Sequence, residues 1–346
     1  MFMKIVIVGA GAAGTTAAIH LASAGMRVVL TEIPGYEARI ETLRAFGILR
    51  SHGLLECEAL IEYTPVLSQV RKADILLVTT VADAHPRIAE CLERSSMHPK
   101  AILFYPGNGG SLFLQKWLNA KFTSATKPIV IEANTIPYGC RVRLKEPNAV
   151  DVSVLTPCVL YSGSEPTDPD ILRIVKTLTP KPVFGGTLAS VFLSNPNPLF
   201  HTLPCLLNVG WIEKKDSDFR MYEHGVTPSV MRVLQVKDAE RKRLLAAVTG
   251  VGMSWDDLTG DIRDEDGTIA TLHFLECGRR AKFQGPHSLE HRYVTEDTAT
   301  GLVCWEKLGV LHGVRTPIIT SEIDLISVLL AKDFRKLGAV RAALIG

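Results

Sequence analysis

The first strand and turn of the chain constrain its fold more than any other segment. Met3–Val8 is a nearly continuous apolar run, and a predicted helix covers Thr15–Ala24. Between them lies a G-x-G-x-x-G sequence, whose glycines permit a tight turn, close approach of a pyrophosphate, and close packing of helix on strand. We therefore predict a dinucleotide-binding loop made of Gly9, Ala10, Gly11, Ala12, Ala13 and Gly14.

The second half of this fingerprint is an acidic residue after the next strand. Arg27–Leu30 reads as that strand, and Glu32 lies just beyond it. A carboxylate at this place accepts hydrogen bonds from the adenosine ribose and repels a 2′-phosphate. NAD is therefore the expected cofactor. NADP stays open as an alternative, because Arg39 and Arg44 follow closely and suit a phosphate.

Strands and helices alternate through the first third of the chain. Apolar runs at Asp74–Thr79, Ala101–Tyr105 and Pro128–Glu132 read as buried strands, with predicted helices at 86–95 and 111–118 between them. This alternation predicts a parallel sheet covered on both faces. Ligands bind such sheets outside the carboxyl ends of the strands, so Thr80 and Val81 are expected to contact the cofactor.

The remaining chain predicts a second, different domain. Residues 138–161 alternate in a way typical of antiparallel strands added to the sheet, and Ser194–Pro198 marks a boundary. Thr227-Pro228 predicts the start of a long helix that ends near Val248. The fold class is therefore α/β: an N-terminal Rossmann dinucleotide-binding domain (1–190) followed by a mainly helical substrate domain (191–346).

Composition excludes several classes of protein. The 346 residues carry 38 Lys and Arg against 36 Asp and Glu, a balance without a nucleic-acid signature. The densest charge run, Lys237–Arg243, mixes both signs and reads as a solvated helix face. Seven cysteines without a C-x-x-C pair suit a reducing cytoplasm. No apolar run approaches the roughly 18 residues of a membrane span, so we expect a cytoplasmic protein that does not bind a membrane.

Four segments together resemble the opine dehydrogenase family, which includes octopine and carboxyethyl-norvaline dehydrogenases. The segments are Glu132–Arg141, Asn195–His201, Tyr222–Glu240 and His291–Asp297. The resemblance covers nearly the whole chain, with one departure: the family usually has proline directly after the histidine, and here that residue is Thr202.

The resemblance implies a reaction. An amino acid condenses with a 2-oxo acid, usually pyruvate in this family, and the resulting imine is reduced by hydride from NAD(P)H. In this context His201 is the candidate acid/base, because imidazole titrates near working pH. Asp297 is the candidate that orients the imidazole. Arg292 is the candidate carboxylate clamp, and an interdomain salt bridge is its alternative role.

Three further residues are candidates for substrate binding: Asn197, Glu132 and Tyr138. Each has a structural alternative. Asn197 is equally suited to capping a helix, and Asp297 has the same alternative. Glu132 and Tyr138 lie at a strand end, where packing or capping would also explain them. The partners implied are a small amino acid and a 2-oxo acid, and a homodimer is compatible with this interpretation.

Competing interpretations stay open at this stage. His287-Ser-Leu-Glu-His291 fits the H-x-x-E-H zinc-peptidase pattern, but Gly285-Pro286 argues against the helix that such a site requires, so no metal is expected. A 2-oxo acid or 2-hydroxy acid reductase of the same architecture would reduce the oxo acid without any amine. A non-catalytic NAD(P)-binding protein would bind the cofactor and turn nothing over.

Overall fold

A computed structural model describes residues 3–156, 158–249 and 283–345. The chain divides into two compact units, one ending at Gly185 and the other beginning at Gly186. This boundary lies a few residues before the expected one at 190/191.

The strands that the structure describes lie in the first unit, and the last of them ends at Gly186. In chain order they are β1 (Lys4–Val8), β2 (Arg27–Glu32), β3 (Ile48–Gly53), β4 (Cys57–Leu60), β5 (Glu62–Val66), β6 (Ile75–Val78), β7 (Ala101–Phe104), β8 (Ile129–Glu132), β9 (Tyr138–Arg143), β10 (Glu146–Leu155), β11 (Cys158–Ser162) and β12 (Lys181–Gly186).

Six of these strands form the expected parallel sheet, in the order β5-β2-β1-β6-β7-β8. Both faces of the sheet are buried, since Ile5 and Ile7 join one apolar cluster while Val6 and Val8 join another. The strand order reverses between β1 and β6, and in such sheets ligands bind at the carboxyl ends of the strands beside this point. The predicted Rossmann fold is thus confirmed.

The segment 138–161 differs from the prediction. β9 and β10 pair antiparallel, as expected, but β10 also pairs in parallel with β3, and β3 pairs with β4. These strands form a separate four-stranded sheet, β4-β3-β10-β9, and β11 pairs with β12. Alternation along one segment indicates a strand, but it does not indicate which distant edge the strand joins.

Helices cover the sheet of the first unit. They are α1 (Ala12–Ser23), α2 (Glu37–Phe46), α3 (His85–Glu93), α4 (Gln115–Lys121) and α5 (Pro169–Leu178), with short 3₁₀ turns at Leu67–Gln69, Ala82–Ala84 and Gly110–Leu114. α1 begins three residues before the predicted start at Thr15, because Gly11 is its N-cap and Gly14 lies inside its first turn.

The described part of the second unit is helical, as predicted. Its helices are α6 (Leu188–Leu193), α7 (Pro196–Phe200), α8 (Thr202–Leu207), α9 (Val209–Ile212), α10 (Pro228–Thr249), α11 (Arg292–Glu296), α12 (Val303–Leu311), α13 (Pro317–Leu329) and α14 (Phe334–Ile345). A π-helical segment, Asp297–Leu302, joins α11 to α12. The predicted long helix is confirmed, since α10 begins at Pro228 directly after Thr227.

The charge run on α10 is not the solvated face that the sequence suggested. Lys237, Asp238, Glu240 and Arg241 are all buried. Lys237, Asp238 and Arg241 lie at helical spacing from Val230, Leu234 and Leu244, which are buried on the same helix. The helix therefore carries these charges into the interior, where each requires a partner.

No helix among the described residues is long and apolar enough to span a bilayer.

Candidate active site

The glycine-rich loop of the first unit has the close packing that its motif predicts. A Cβ on Gly14 would lie 1.8 Å from the Gly9 carbonyl oxygen, so this position accepts only glycine. Gly9 has a φ of +110°, and a Cβ there would lie 2.9 Å from the Thr80 nitrogen. Gly11 is different, because a Cβ added to it would meet nothing within 4 Å. Gly9 and Gly14 are thus closely packed, whereas there is free space beside Gly11.

The start of α1 is suited to an anion. Gly11 is the N-cap, no side chain caps the helix, and Ala12 and Ala13 are half-buried in its first turn. The first N–H groups of a helix have no partner within the helix, and the helix dipole attracts negative charge to this end. Ala10 donates its own N–H to Glu32 Oε1 at 2.6 Å.

Glu32 is the last residue of β2 and is buried. Its carboxylate accepts the Ala10 N–H and, at 3.3 Å, the Ile33 N–H. Burial raises the pKa of Glu32, while these hydrogen bonds and the nearby Arg39 lower it. The carboxylate is therefore fixed beside the glycine loop, where the fingerprint places the adenosine ribose.

The two nearby arginines have partners within the fold. Arg39 donates to the carbonyl oxygens of Ala10 at 3.2 Å and Pro147 at 2.8 Å. Arg44 is exposed and donates to the Tyr63 carbonyl oxygen at 3.3 Å. The guanidinium of Arg39 thus lies close to the loop but is bound to backbone oxygens.

Thr80 and Val81 follow β6, the strand beside β1 at the point where the strand order reverses. Val81 is 44% exposed, unusual for an apolar residue at the end of a core strand. The Thr80 hydroxyl is buried and has no hydrogen-bond partner among the described residues. An apolar surface next to an unsatisfied hydroxyl suits a mixed apolar and polar ligand.

Glu132 ends β8 and is buried. Its two carboxylate oxygens accept the N–H groups of Gly109 at 2.9 Å and Ser111 at 2.7 Å. Glu132 therefore supports the loop after β7, at the edge of the sheet where ligands bind, and its assignment to substrate stays a prediction.

Tyr138 begins β9 and belongs to the apolar cluster under α1. Its hydroxyl lies 2.8 Å from His20 Nδ1, and burial raises the pKa of Tyr138 well above its usual value. These contacts give Tyr138 a structural role in the core of the first unit, and its predicted contact with substrate stays a prediction.

The second unit brings His201 and Asp297 together. His201 lies between α7 and α8, and Asp297 follows α11; both side chains are 8% exposed. His201 Nδ1 lies 2.8 Å from Asp297 Oδ2. Such a bond fixes the imidazole orientation and tautomer, with Nε2 on the side of the ring away from Asp297.

The electrostatics of this pair are set by burial. Burial raises the pKa of Asp297 to about 7, while the positive charges of Arg292 and Lys237 act in the opposite direction. The carboxylate and the His201 imidazole are in direct contact, so a change in the charge of either one acts on the other. A change in the surrounding charge therefore changes the fraction of Asp297 that is ionised near neutral pH.

Tyr293 links the pair to Arg292. The Tyr293 ring stacks on the His201 ring with centroids 3.9 Å apart, and the Arg292 guanidinium lies 5.8 Å from the centroid of the same tyrosine. Arg292 is 54% exposed and lies 3.7 Å from Glu296 in its own helix. The fork of Arg292 thus retains the exposure that a carboxylate ligand requires.

Asn197 is not the N-cap of α7, which was the structural alternative to a role in substrate binding. The N-cap of α7 is Asn195, whose side chain accepts the Asn197 N–H at 2.9 Å. Asn197 lies within the helix and is half-buried. Capping therefore does not explain Asn197, and its predicted contact with substrate stays open.

The H-x-x-E-H segment, His287–His291, forms bends and turns rather than a helix. His291 caps α11 by accepting the Tyr293 N–H at 3.2 Å, and Glu290 pairs with Lys332. Among the residues that the structure describes, no cluster of three histidine, cysteine or acidic side chains could hold a metal ion.

Sequence reasoning missed Tyr293 and Lys237. Tyr293 lies in the family-like segment 291–297, next to Arg292, but received no role. Lys237 was hidden in the charge run, although its spacing of three residues from Leu234 on α10 places it on the apolar face. Helical periodicity was the signal that could have identified it.

The first unit suits a dinucleotide on three observations. The helix start is uncapped by side chains, the space at Gly11 is open, and the Thr80 hydroxyl is buried without a described partner. The loop would hold the pyrophosphate and Glu32 the ribose.

Comparison with known proteins adds three findings. The family model described as NAD/NADP octopine/nopaline dehydrogenase, alpha-helical domain, matches residues 185–330. An FAD binding domain model matches residues 4–52, which comprise the β-α-β segment shared by many dinucleotide-binding folds. An opine dehydrogenase of Arthrobacter sp. (strain 1C) is 28% identical over 338 residues, covering 96% of this chain and 92% of the relative.

Solved structures show the same fold. An octopine dehydrogenase with NADH and L-arginine has a TM-score of 0.71 at 17% identity, covering 95% of this chain and 90% of the other. A yersinopine dehydrogenase with NADP⁺ has a TM-score of 0.71 at 16% identity, covering 99% of both chains.

Two glycine substitutions separate packing from cofactor binding. Gly14→Ala forces a Cβ against the Gly9 carbonyl, so we expect it to lower stability by about 1–3 kcal/mol or more and to reduce Tm. Gly11→Ala meets no neighbour, so we expect a nearly unchanged Tm but NADH binding weakened by about tenfold or more. Thermal unfolding and NADH titration check both; normal NADH binding by Gly11→Ala would contradict the loop assignment.

Proposed function

We propose that this chain, whose residues 185–330 match the octopine/nopaline dehydrogenase family model, joins an amino acid to a 2-oxo acid by NAD(P)H-dependent reductive condensation. The product is an N-carboxyalkyl amino acid. The observation that carries this proposal is the buried hydrogen bond between His201 and Asp297, beside Arg292, within the helical unit that matches the family model.

The reaction needs a hydride donor and a group that exchanges a proton. The amine and the oxo acid first lose water to form an imine, and a hydride and a proton then convert the imine to a secondary amine. NAD(P)H supplies the hydride. His201 Nε2 is the group proposed to exchange the proton, since Asp297 holds Nδ1 and stabilises the imidazolium.

Substrate carboxylates need a cation and polar groups. Arg292 is the proposed clamp, because its guanidinium is half-exposed and matches a carboxylate in a bidentate fork. Asn197 is proposed to donate or accept a hydrogen bond to substrate, because Asn195 already caps α7. Pyruvate is the proposed oxo acid, in line with the family.

A panel of amino acids tested with pyruvate and NADH checks the reaction. We expect rapid NADH oxidation only when both the amino acid and pyruvate are present, because the reducible species is their imine. Oxidation with pyruvate alone at the same rate would instead identify a 2-oxo acid reductase. NADH binding without turnover for any pair would identify a binding protein.

Substitution of His201 and Asp297, which together form the proposed catalytic dyad, tests the proton transfer. His201→Ala is expected to lower kcat by a factor on the order of 10²–10⁴, with NADH affinity nearly unchanged because His201 lies outside the glycine-loop unit. Asp297→Asn is expected to slow the same step, since an amide does not stabilise an imidazolium. Steady-state kinetics and NADH titration provide the measurement, and normal turnover by His201→Ala would remove this residue from the mechanism.

The cofactor preference is proposed to be NADH over NADPH. Glu32 is fixed beside the loop, while Arg39 is bound to backbone oxygens. A buried carboxylate repels a 2′-phosphate.

Glu32→Gln keeps an acceptor for the Ala10 N–H but removes the charge, so the ratio of kcat/KM for NADH over NADPH is expected to fall. Glu41→Gln, the same chemical change at an exposed position of α2, is the control that leaves this ratio in place. A wild-type preference for NADPH would contradict the role of Glu32 while leaving the reaction intact.

A further inference from the structure

Four charged residues of α10 are buried, and three of them have partners that explain them structurally. Asp238 pairs with Arg241 at 2.6 Å, and Arg241 donates to the Leu193 carbonyl oxygen at 3.1 Å. Glu240 accepts the N–H groups of Ile318 and Ile319, in the first turn of α13. These contacts satisfy groups that would otherwise be costly to bury.

Lys237 is the fourth charged residue. Two of its partners, Pro198 and Thr202, lie on either side of His201 in the sequence. Its fully buried Nζ donates to the Pro198 carbonyl oxygen at 2.7 Å and to Thr202 Oγ1 at 2.9 Å. It also forms an ion pair with Glu322 Oε2 at 2.7 Å, and Glu322 is itself buried. The lysine therefore joins α7, the start of α8 and α13.

Thr202 binds both the lysine and the preceding helix. Its Oγ1 accepts a hydrogen bond from Lys237 Nζ and donates one to the Pro198 carbonyl oxygen at 2.9 Å. The residue directly after His201 is therefore held between Lys237 and α7.

The charge of Lys237 also acts on Asp297. The groups that bear on the Asp297 carboxylate are His201, in direct contact, and the two cations Arg292 and Lys237, which lower its pKa against the effect of burial. The Cys205 thiol also faces it, since burial and the Asp297 charge raise the pKa of that thiol. Lys237 in turn is stabilised as a cation by Glu322, Asp297 and Glu240, while burial lowers its pKa. The positive charge of Lys237 therefore interacts both with Glu322, its ion-pair partner, and with Asp297.

We propose that Lys237, paired with Glu322, is a positioning residue for the dyad of His201 and Asp297. It holds the turn that carries His201 through Pro198 and Thr202, and its positive charge favours the ionised form of Asp297. This inference rests on the proposed role of the dyad in the reaction. Lys237 itself contacts neither the imidazole nor the Asp297 carboxylate in the hydrogen bonds described, so its action is indirect.

The test of this inference is a double variant that removes the charges of Lys237 and Glu322 together. Lys237→Met alone would leave Glu322 buried without its cation and would destabilise the protein. The double variant Lys237→Met with Glu322→Met removes the pair and is expected to recover most of that stability. Lys242→Met, on the same helix but partly exposed and paired with Asp238, is the matched control.

The expected result is a shift in the pH profile. Ionised Asp297 is present above its pKa and is lost as pH falls through it, so losing Lys237 raises the pH at which activity declines on the acid side. Lys237 is among the charges that act on Asp297 and Glu322 is not, so removing Glu322 does not cancel the loss of Lys237. We expect the acid limb of the kcat profile to move to higher pH in the double variant. NADH affinity and the Lys242→Met profile are expected to remain unchanged.

A second readout does not depend on turnover. NMR of ¹⁵N-histidine-labelled protein, with His201 assigned through a His201→Gln variant, reports the pH at which Asp297 protonation perturbs the imidazole. A shift in this transition supports the inference even if no substrate pair is turned over, an outcome that would contradict only the proposed reaction. A folded double variant with an unchanged transition overturns the inference. If that variant does not fold, Lys237→Gln with Glu322→Gln, which retains hydrogen-bonding groups, carries the same test.

Discussion

The burial of the Asp297 carboxylate is the constraint on which the helical unit depends. A carboxylate at this depth is stable only if donors and cations surround it. Here His201 provides the direct hydrogen bond, and Arg292 and Lys237 provide positive charge from two different helices. The same hydrogen bond that makes burial tolerable also fixes the orientation of the His201 imidazole.

The two units are organised by different interactions. The first is organised by backbone geometry, because Gly14 allows α1 to approach the Gly9 carbonyl and Glu32 fixes the loop through Ala10. The second is organised by side chains that compensate one another's charge. Changes in the first unit should therefore affect cofactor binding and packing, whereas changes in the second should affect the chemical step.

Much of this fold was predictable from the sequence because its signals are local. The strand, glycine loop and helix at residues 3–24 lie side by side in the chain, and Thr227-Pro228 marks the start of a helix with residues that are adjacent. The pairing of β10 with β3 was not predictable, since it joins segments about a hundred residues apart. In the candidate site, the residues His201 and Asp297 could be selected by resemblance, but their contact is visible only in the structure. Lys237 was misread because a run of mixed charge suggested solvent, although its spacing from Leu234 placed it inside.

The most direct test of the proposed reaction is the fate of nitrogen in the product. The enzyme would be given pyruvate, NADH and a ¹⁵N-labelled amino acid that supports NADH oxidation, and the product would be identified by mass spectrometry. Reductive condensation predicts one product in which the labelled nitrogen carries a new carboxyethyl group. Recovery of the labelled amino acid unchanged, together with lactate, would contradict the reaction proposed for this protein.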